Sequence, residues 1–156
     1  DLYPNGKYIS EAGPQEIAII KKEVKDASKK IELTINHNLE RLKINYNQSI
    51  LIGFSQGGMM AFEFGNNFKR SLGALAILSG RIMDLNFKDN ELFQKTPIFI
   101  CHGDQDDVLP ITNFYYSINF LKKNNYNFES HEIKGDTHTI SSKSITLLQQ
   151  FIKKNL

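Results

Sequence analysis

An α/β architecture, a mostly parallel sheet with helices on both faces, is what this sequence of 156 residues predicts. Three observations predict it. Short apolar runs rich in β-branched residues alternate with longer segments whose apolar residues recur every three or four positions. The runs at 49–54, 73–79 and 97–102 are apolar on both of their alternating faces, as in strands buried between two helical layers. No internal repeat or linker divides the chain, so one domain over residues 1–156 is the expected count.

Gly13-Pro14 opens the first element. Proline suits the first turn of a helix, where its missing N–H has no partner to lose. Ile17, Ile20, Val24, Ala27, Ile31, Ile35, Leu39 and Leu42 then give the helix one apolar face, and it is expected to end before Asn45 to Gln48. A strand over 49–54 follows, and Met59, Met60, Phe62 and Phe64 begin a second helix. Residues 73–79 read as a buried strand and 80–96 as a long connection. A strand over 97–102 comes next, then a helix marked by Ile111, Phe114, Ile118 and Leu121. Residues 127–134 form a further strand. A helical pattern from near Ile140, with Ile145, Leu148 and Ile152, closes the chain.

The junction of the 49–54 strand with its helix reads Gly53-Phe54-Ser55-Gln56-Gly57-Gly58. A serine boxed by glycines at a strand-to-helix turn fits a nucleophile elbow: the turn lifts the hydroxyl above the sheet, and the glycines let strand and helix approach. The five-residue pattern alone is weak, because a serine at a helix start is often only an N-cap. Two later positions strengthen it. The 97–102 strand runs into the acidic loop His102-Gly103-Asp104-Gln105-Asp106-Asp107, and the 127–134 strand runs into Gly135-Asp136-Thr137-His138. Ser55, Asp106 and His138 thus each lie just beyond a strand, in the chain order of α/β-hydrolase nucleophile, acid and base. Asp104 and Asp107 compete with Asp106, and His102 stands close enough to the strand end to approach the site.

Together, Gly53 to Gly58, His102-Gly103-Asp104-Gln105-Asp106 and the late His138 resemble the phospholipase/carboxylesterase family of α/β-hydrolases, which includes the acyl-protein thioesterases. Ile77-Leu78-Ser79-Gly80 resembles the family's next strand and loop, and Asp1-Leu2-Tyr3 the segment before its long helix. The H-G-x-x-D spacing of the family favours Asp106 as the acid and makes His102 a structural part of the acid loop. The resemblance implies an α/β-hydrolase fold, Ser55 as nucleophile, Asp106 as acid and His138 as base, with the backbone N–H of Gln56 as one oxyanion donor and no cofactor. It implies small-molecule carboxylic esters or acyl thioesters as substrates, with acylated proteins among them. The family's early His-Gly loop, which supplies a second oxyanion donor, has no counterpart before Ser55. The expectation is therefore that the chain is the C-terminal portion of such a domain, lacking its N-terminal portion. Losing one oxyanion donor typically costs roughly 10²- to 10³-fold in turnover. Without upstream strands the 49–54 strand would be a sheet edge, open to self-association. The alternatives are a noncatalytic binding module or inactive fragment, and a peptidase or acyltransferase on the same fold.

Composition narrows the partners. With 19 basic and 17 acidic residues the net charge is +2, which implies no nucleic-acid surface. The pairs Lys21-Lys22, Lys29-Lys30, Lys122-Lys123 and Lys153-Lys154 fall on helical patterns and read as solvated faces. No apolar run approaches the roughly 18 residues of a membrane span. Cys101 has no second cysteine to pair with, and a lone buried thiol suits a reducing, cytoplasmic setting. The four histidines and one cysteine show no zinc-finger spacing, and no Walker lysine follows Gly57-Gly58, so neither a metal nor a nucleotide site is expected. His37 reads as surface and His131 as structural. Leu85, Phe87, Leu92, Phe93 and Leu109 read either as an acyl pocket or as ordinary core.

Overall fold

Helix α1 spans Pro14–Leu42 in the computed structural model, which describes residues 13–85 and 90–156. Asp1-Leu2-Tyr3 and Phe87 lie outside the described residues. Glu16 reaches back to the Gly13 N–H at 2.8 Å, satisfying one of the donors that a helix start leaves free. Ile20, Val24 and Leu39 of the apolar stripe are buried. Leu42, read as part of that stripe, is exposed, because the helix ends there and Lys43 turns left-handed (φ 56°). A short 3₁₀ turn, Tyr46–Gln48, leads into the sheet.

Four strands follow: β1 Ile50–Phe54, β2 Ala74–Leu78, β3 Ile98–Gly103 and β4 Phe128–Ile133. All neighbours pair in parallel, in the order β1-β2-β3-β4. Between them lie α2 Gln56–Asn67, the short α3 Glu91–Lys95 and α4 Thr112–Lys123, and α5 Ser142–Asn155 closes the chain. Strand bounds fall within one residue of those expected from the sequence. The long connection expected over 80–96 contains α3, whose start is capped by the Asn90 side chain accepting from the Phe93 N–H at 3.2 Å. The last helix begins at Ser142 rather than near Ile140, with Ser141 as its cap.

The period-two geometry of the strands divides the core in two. Leu75, Ile77, Ile98 and Ile100 pack with Phe62 of α2 and Phe114 and Leu121 of α4. Ala74, Ala76, Leu78, Phe99 and Cys101 pack with Leu148 and Phe151 of α5. Helices thus cover both faces, and α1 lies over α2 in an outer cluster joining Ile20 and Val24 to Met59, Met83, Leu85 and Leu109. β1 pairs with β2 alone among the described residues, and Ile52 on it is 45% exposed.

One buried charge sits apart from the strand ends. Glu63 of α2 is 2% exposed and accepts from the Leu85 N–H at 3.4 Å. Burial pushes its carboxyl up to about 7; Asp84 adds to this, and the Leu85 bond and Lys21 oppose it. Unfolding lets the proton go near the ordinary value of 4.5, so between about 4.5 and 7 the unfolded chain binds fewer protons and stability falls as pH rises. Glu63→Gln is expected to raise stability at pH 8 by up to about 3 kcal/mol, with the gain vanishing below about pH 4.5. Thermal melts of both proteins across that range provide the check, and a gain independent of pH would contradict the assignment.

Candidate active site

The turn from β1 into α2 holds Ser55 at φ 53°, ψ −121°, a conformation that L-residues rarely adopt and that costs on the order of 1–3 kcal/mol. The surroundings impose it. Ser55 N–H donates to the Leu78 carbonyl at 2.8 Å, and the Ser55 carbonyl accepts from Gly58 and Met59 N–H at 3.0 and 3.2 Å. A Cβ at residue 53 would lie 2.1 Å from the Gly57 carbonyl oxygen, so glycine is required there where strand and helix cross, whereas a Cβ at residue 57 would meet nothing within 4 Å, so the expected need for glycine does not extend to Gly57. Although Ser55 precedes the helix, its side chain makes no capping bond. The Oγ instead lies 2.9 Å from His138 Nε2.

His138 sits in the loop between β4 and α5. Its Nδ1 is 2.8 Å from Asp106 Oδ2. A carboxylate only accepts, which places the ring proton on Nδ1 and leaves the Nε2 lone pair facing the serine hydroxyl; this tautomer is assigned from the bonding. The Phe54 ring, 4.9 Å from the imidazole, packs against it. The Asp106 side chain is fully buried, and its Oδ1 accepts from the N–H groups of Val108 at 3.0 Å and Leu109 at 2.7 Å. Burial strengthens each of these bonds, because no water competes.

Acid and base loops are tied to one another. Asp104 N–H donates to Ile133 O at 3.2 Å and Gln105 N–H to Asp136 O at 2.9 Å. Asp104 Oδ1 accepts from the Gly135 N–H at 2.7 Å, at a turn where Gly135 has φ 81°. Of the three competing carboxylates, Asp106 meets His138, Asp104 braces the loop beneath it, and Asp107 is exposed.

Gln56 is the first residue of α2, and its N–H finds no acceptor among the described residues, as at any helix start. His37 is exposed, and His131 Nε2 lies 2.8 Å from Glu129 Oε1, away from the loops that carry the site. Cys101 is buried in β3, its thiol pushed up to about 12 by burial and by nearby Asp136, which disfavours the thiolate. Of the residues read as pocket or core, Phe93 is core, Leu85 and Leu109 share the outer cluster with Met59, and Leu92 is exposed. Two neighbours of the site escaped sequence reading: the Phe54 ring against His138, and the bond from His102 Nε2 to the Leu109 carbonyl at 2.7 Å. Among the described residues no group of three or more His, Cys, Asp or Glu is arranged to hold a metal ion, and no helix is long and apolar enough to cross a membrane.

Comparison with known proteins gives a consistent picture. A profile of the family described as phospholipase/carboxylesterase matches residues 9–156. The chain is 32% identical over 152 residues to acyl-protein thioesterase 1 homolog 1 of Dictyostelium discoideum, covering 96% of this chain and 66% of that one. It is 32% identical over 133 residues to acyl-protein thioesterase 1 of Saccharomyces cerevisiae, covering 81% and 57%. The chain therefore spans less than two thirds of the length of these relatives. Among solved structures, SOBER1 of Arabidopsis thaliana superposes with a TM-score of 0.75 at 26% identity, over 85% of this chain and 64% of that one. A phospholipase/carboxylesterase from Dyadobacter fermentans gives 0.72 at 25%, over 94% and 70%. The fold is that of the α/β-hydrolases.

Proposed function

The chain belongs to the phospholipase/carboxylesterase family, and we propose that it carries the catalytic residues of a serine hydrolase acting on carboxylic esters or acyl thioesters. The observation that carries this reading is the unbroken path from Ser55 Oγ through His138 to Asp106, at 2.9 and 2.8 Å. In the proposed mechanism His138 Nε2 takes the Ser55 proton as Oγ attacks the acyl carbonyl. Asp106 holds the ring in the required tautomer and stabilises the imidazolium that forms. The tetrahedral oxyanion is met by the backbone N–H of Gln56. Collapse transfers the proton from His138 to the leaving oxygen or sulfur and leaves an acyl-Ser55 ester, which water, activated by the same imidazole, then hydrolyses.

The names of the relatives favour acyl thioesters on proteins within this class, and small acyl esters are the simplest members of it. Selectivity resides in the groove around the serine rather than in the three residues themselves. The test is hydrolysis of p-nitrophenyl acyl esters and of matched acyl thioesters by the purified protein. An initial burst stoichiometric with enzyme, followed by steady turnover, is expected if deacylation is the slower step. Saturable ester binding by a folded protein without any release of product would favour the noncatalytic reading.

A further inference from the structure

We propose that His102 is a positioning residue of this site: its ring N–H, donating to the Leu109 carbonyl, fixes the residue whose own N–H holds the Asp106 carboxylate toward His138. The proposal rests on the reading of Ser55, His138 and Asp106 as the catalytic set.

Two hydrogen bonds and one close contact link His102, Leu109 and Asp106. His102 Nε2 lies 2.7 Å from the Leu109 carbonyl oxygen, which can only accept, so Nε2 carries the proton. The N–H of the same Leu109 donates to Asp106 Oδ1 at 2.7 Å. His102 Nε2 also stands 3.1 Å from Asp106 Oδ2, the oxygen that receives His138 Nδ1. The ring N–H is aimed at Leu109, yet its positive end draws Oδ2 as well, so both carboxylate oxygens are held. One imidazole at the end of β3 thereby anchors the far side of the acid loop, seven residues on.

A core filler would look different. His102 is 1% exposed, with its ring centroid 5.9 Å from that of Phe114, a setting in which an apolar side chain would serve. Its Nδ1 is buried and makes no well-formed hydrogen bond among the described residues, with only a weak contact from the Gly80 backbone on the ring, a cost that an apolar residue would not carry. What offsets this cost is the work done at Nε2. Burial, with a smaller push from His138, also holds the imidazole below its ordinary range, against the opposing pull of the Leu109 backbone, Asp106 and the Gly80 backbone. A neutral ring adds no repulsion when His138 becomes charged during the reaction.

Two substitutions separate the roles. His102→Gln places an amide N–H near the Nε2 position, whereas His102→Phe fills the ring's volume with no donor. The measurements are kcat and KM with a p-nitrophenyl ester, and the low-field proton NMR signal of the His138 Nδ1–H bonded to Asp106. In folded proteins, His102→Gln is expected to keep that signal and to stay within severalfold of wild-type kcat. His102→Phe is expected to lose or displace the signal and to lower kcat on the order of 10²-fold at unchanged KM, the scale of a small misplacement of a catalytic group. His102→Leu takes the place of His102→Phe if the latter does not fold. Equal behaviour of the two variants, or better function with Phe than with Gln, would overturn the proposal. The NMR comparison needs no turnover, so absence of wild-type activity would count against the hydrolase reading while leaving His102 to be decided by the signal.

Discussion

Ser55→Ala is expected to lower ester turnover by about 10⁶-fold, His138→Ala by nearly as much, and the double variant by no more than either alone. The near equality follows from the geometry. In the proposed mechanism the Ser55 hydroxyl is a weak nucleophile until His138 Nε2, 2.9 Å away, removes its proton, and without the serine the later proton transfers of the imidazole have no acyl group to act on. Either deletion therefore ends the same step. Asp106 acts one bond further out, so Asp106→Asn should leave more activity while still imposing a large loss through the wrong tautomer of His138. The check is kcat/KM for each variant alongside its thermal melt. Additive losses in the double variant, or turnover retained by either single variant, would remove the assignment of these residues as a unit.

Gly103→Ala is the second large effect. A Cβ there would lie 2.2 Å from the Asp136 carbonyl oxygen and 2.7 Å from that of Thr137. Both contacts are with backbone, so no side chain can turn aside. The end of β3 and the loop that carries His138 would have to part, breaking the ties from Gln105 and Asp104 that register the acid loop against the base loop. Overpacking of this kind costs about 1–3 kcal/mol and sometimes more. A shift of about 1 Å at His138 would lower turnover on the order of 10²-fold even in molecules that remain folded. The control is Gly57→Ala, where a Cβ would meet nothing within 4 Å, and whose thermal stability should be unchanged or slightly raised. Equal melting temperatures for the two variants would show that the crossing of these loops is softer than the backbone distances imply.

Much of this arrangement was legible before any coordinates, for physical reasons. Strands such as Gly73 to Ser79 and Thr96 to His102 are apolar on both faces because helices cover both, and that composition marks them in sequence. Parallel strands end on one side of the sheet, so residues just past strand ends converge there. This is why Ser55, Asp106 and His138 could be placed near one another from position alone. Five residues, the length of α3, are too few for a period of 3.6 to show, although Asn90 followed by Glu91 was a usable start signal. Leu92 and Phe93 could not be sorted into exposed and buried without knowing that this helix existed. The tie between His102 and Leu109 depends on the path of the intervening loop, which no local pattern in His102 to Pro110 encodes. The exposure of Leu42 likewise follows from where α1 stops rather than from its spacing.

The most direct test of the hydrolase reading is covalent labelling with a fluorophosphonate probe, read by intact mass, with Ser55→Ala as control. The account predicts one adduct per chain, lost in Ser55→Ala and strongly slowed in His138→Ala, because phosphonylation needs the same activated hydroxyl that attacks an ester. A folded protein that takes up no probe, or that is labelled equally in Ser55→Ala, would contradict it.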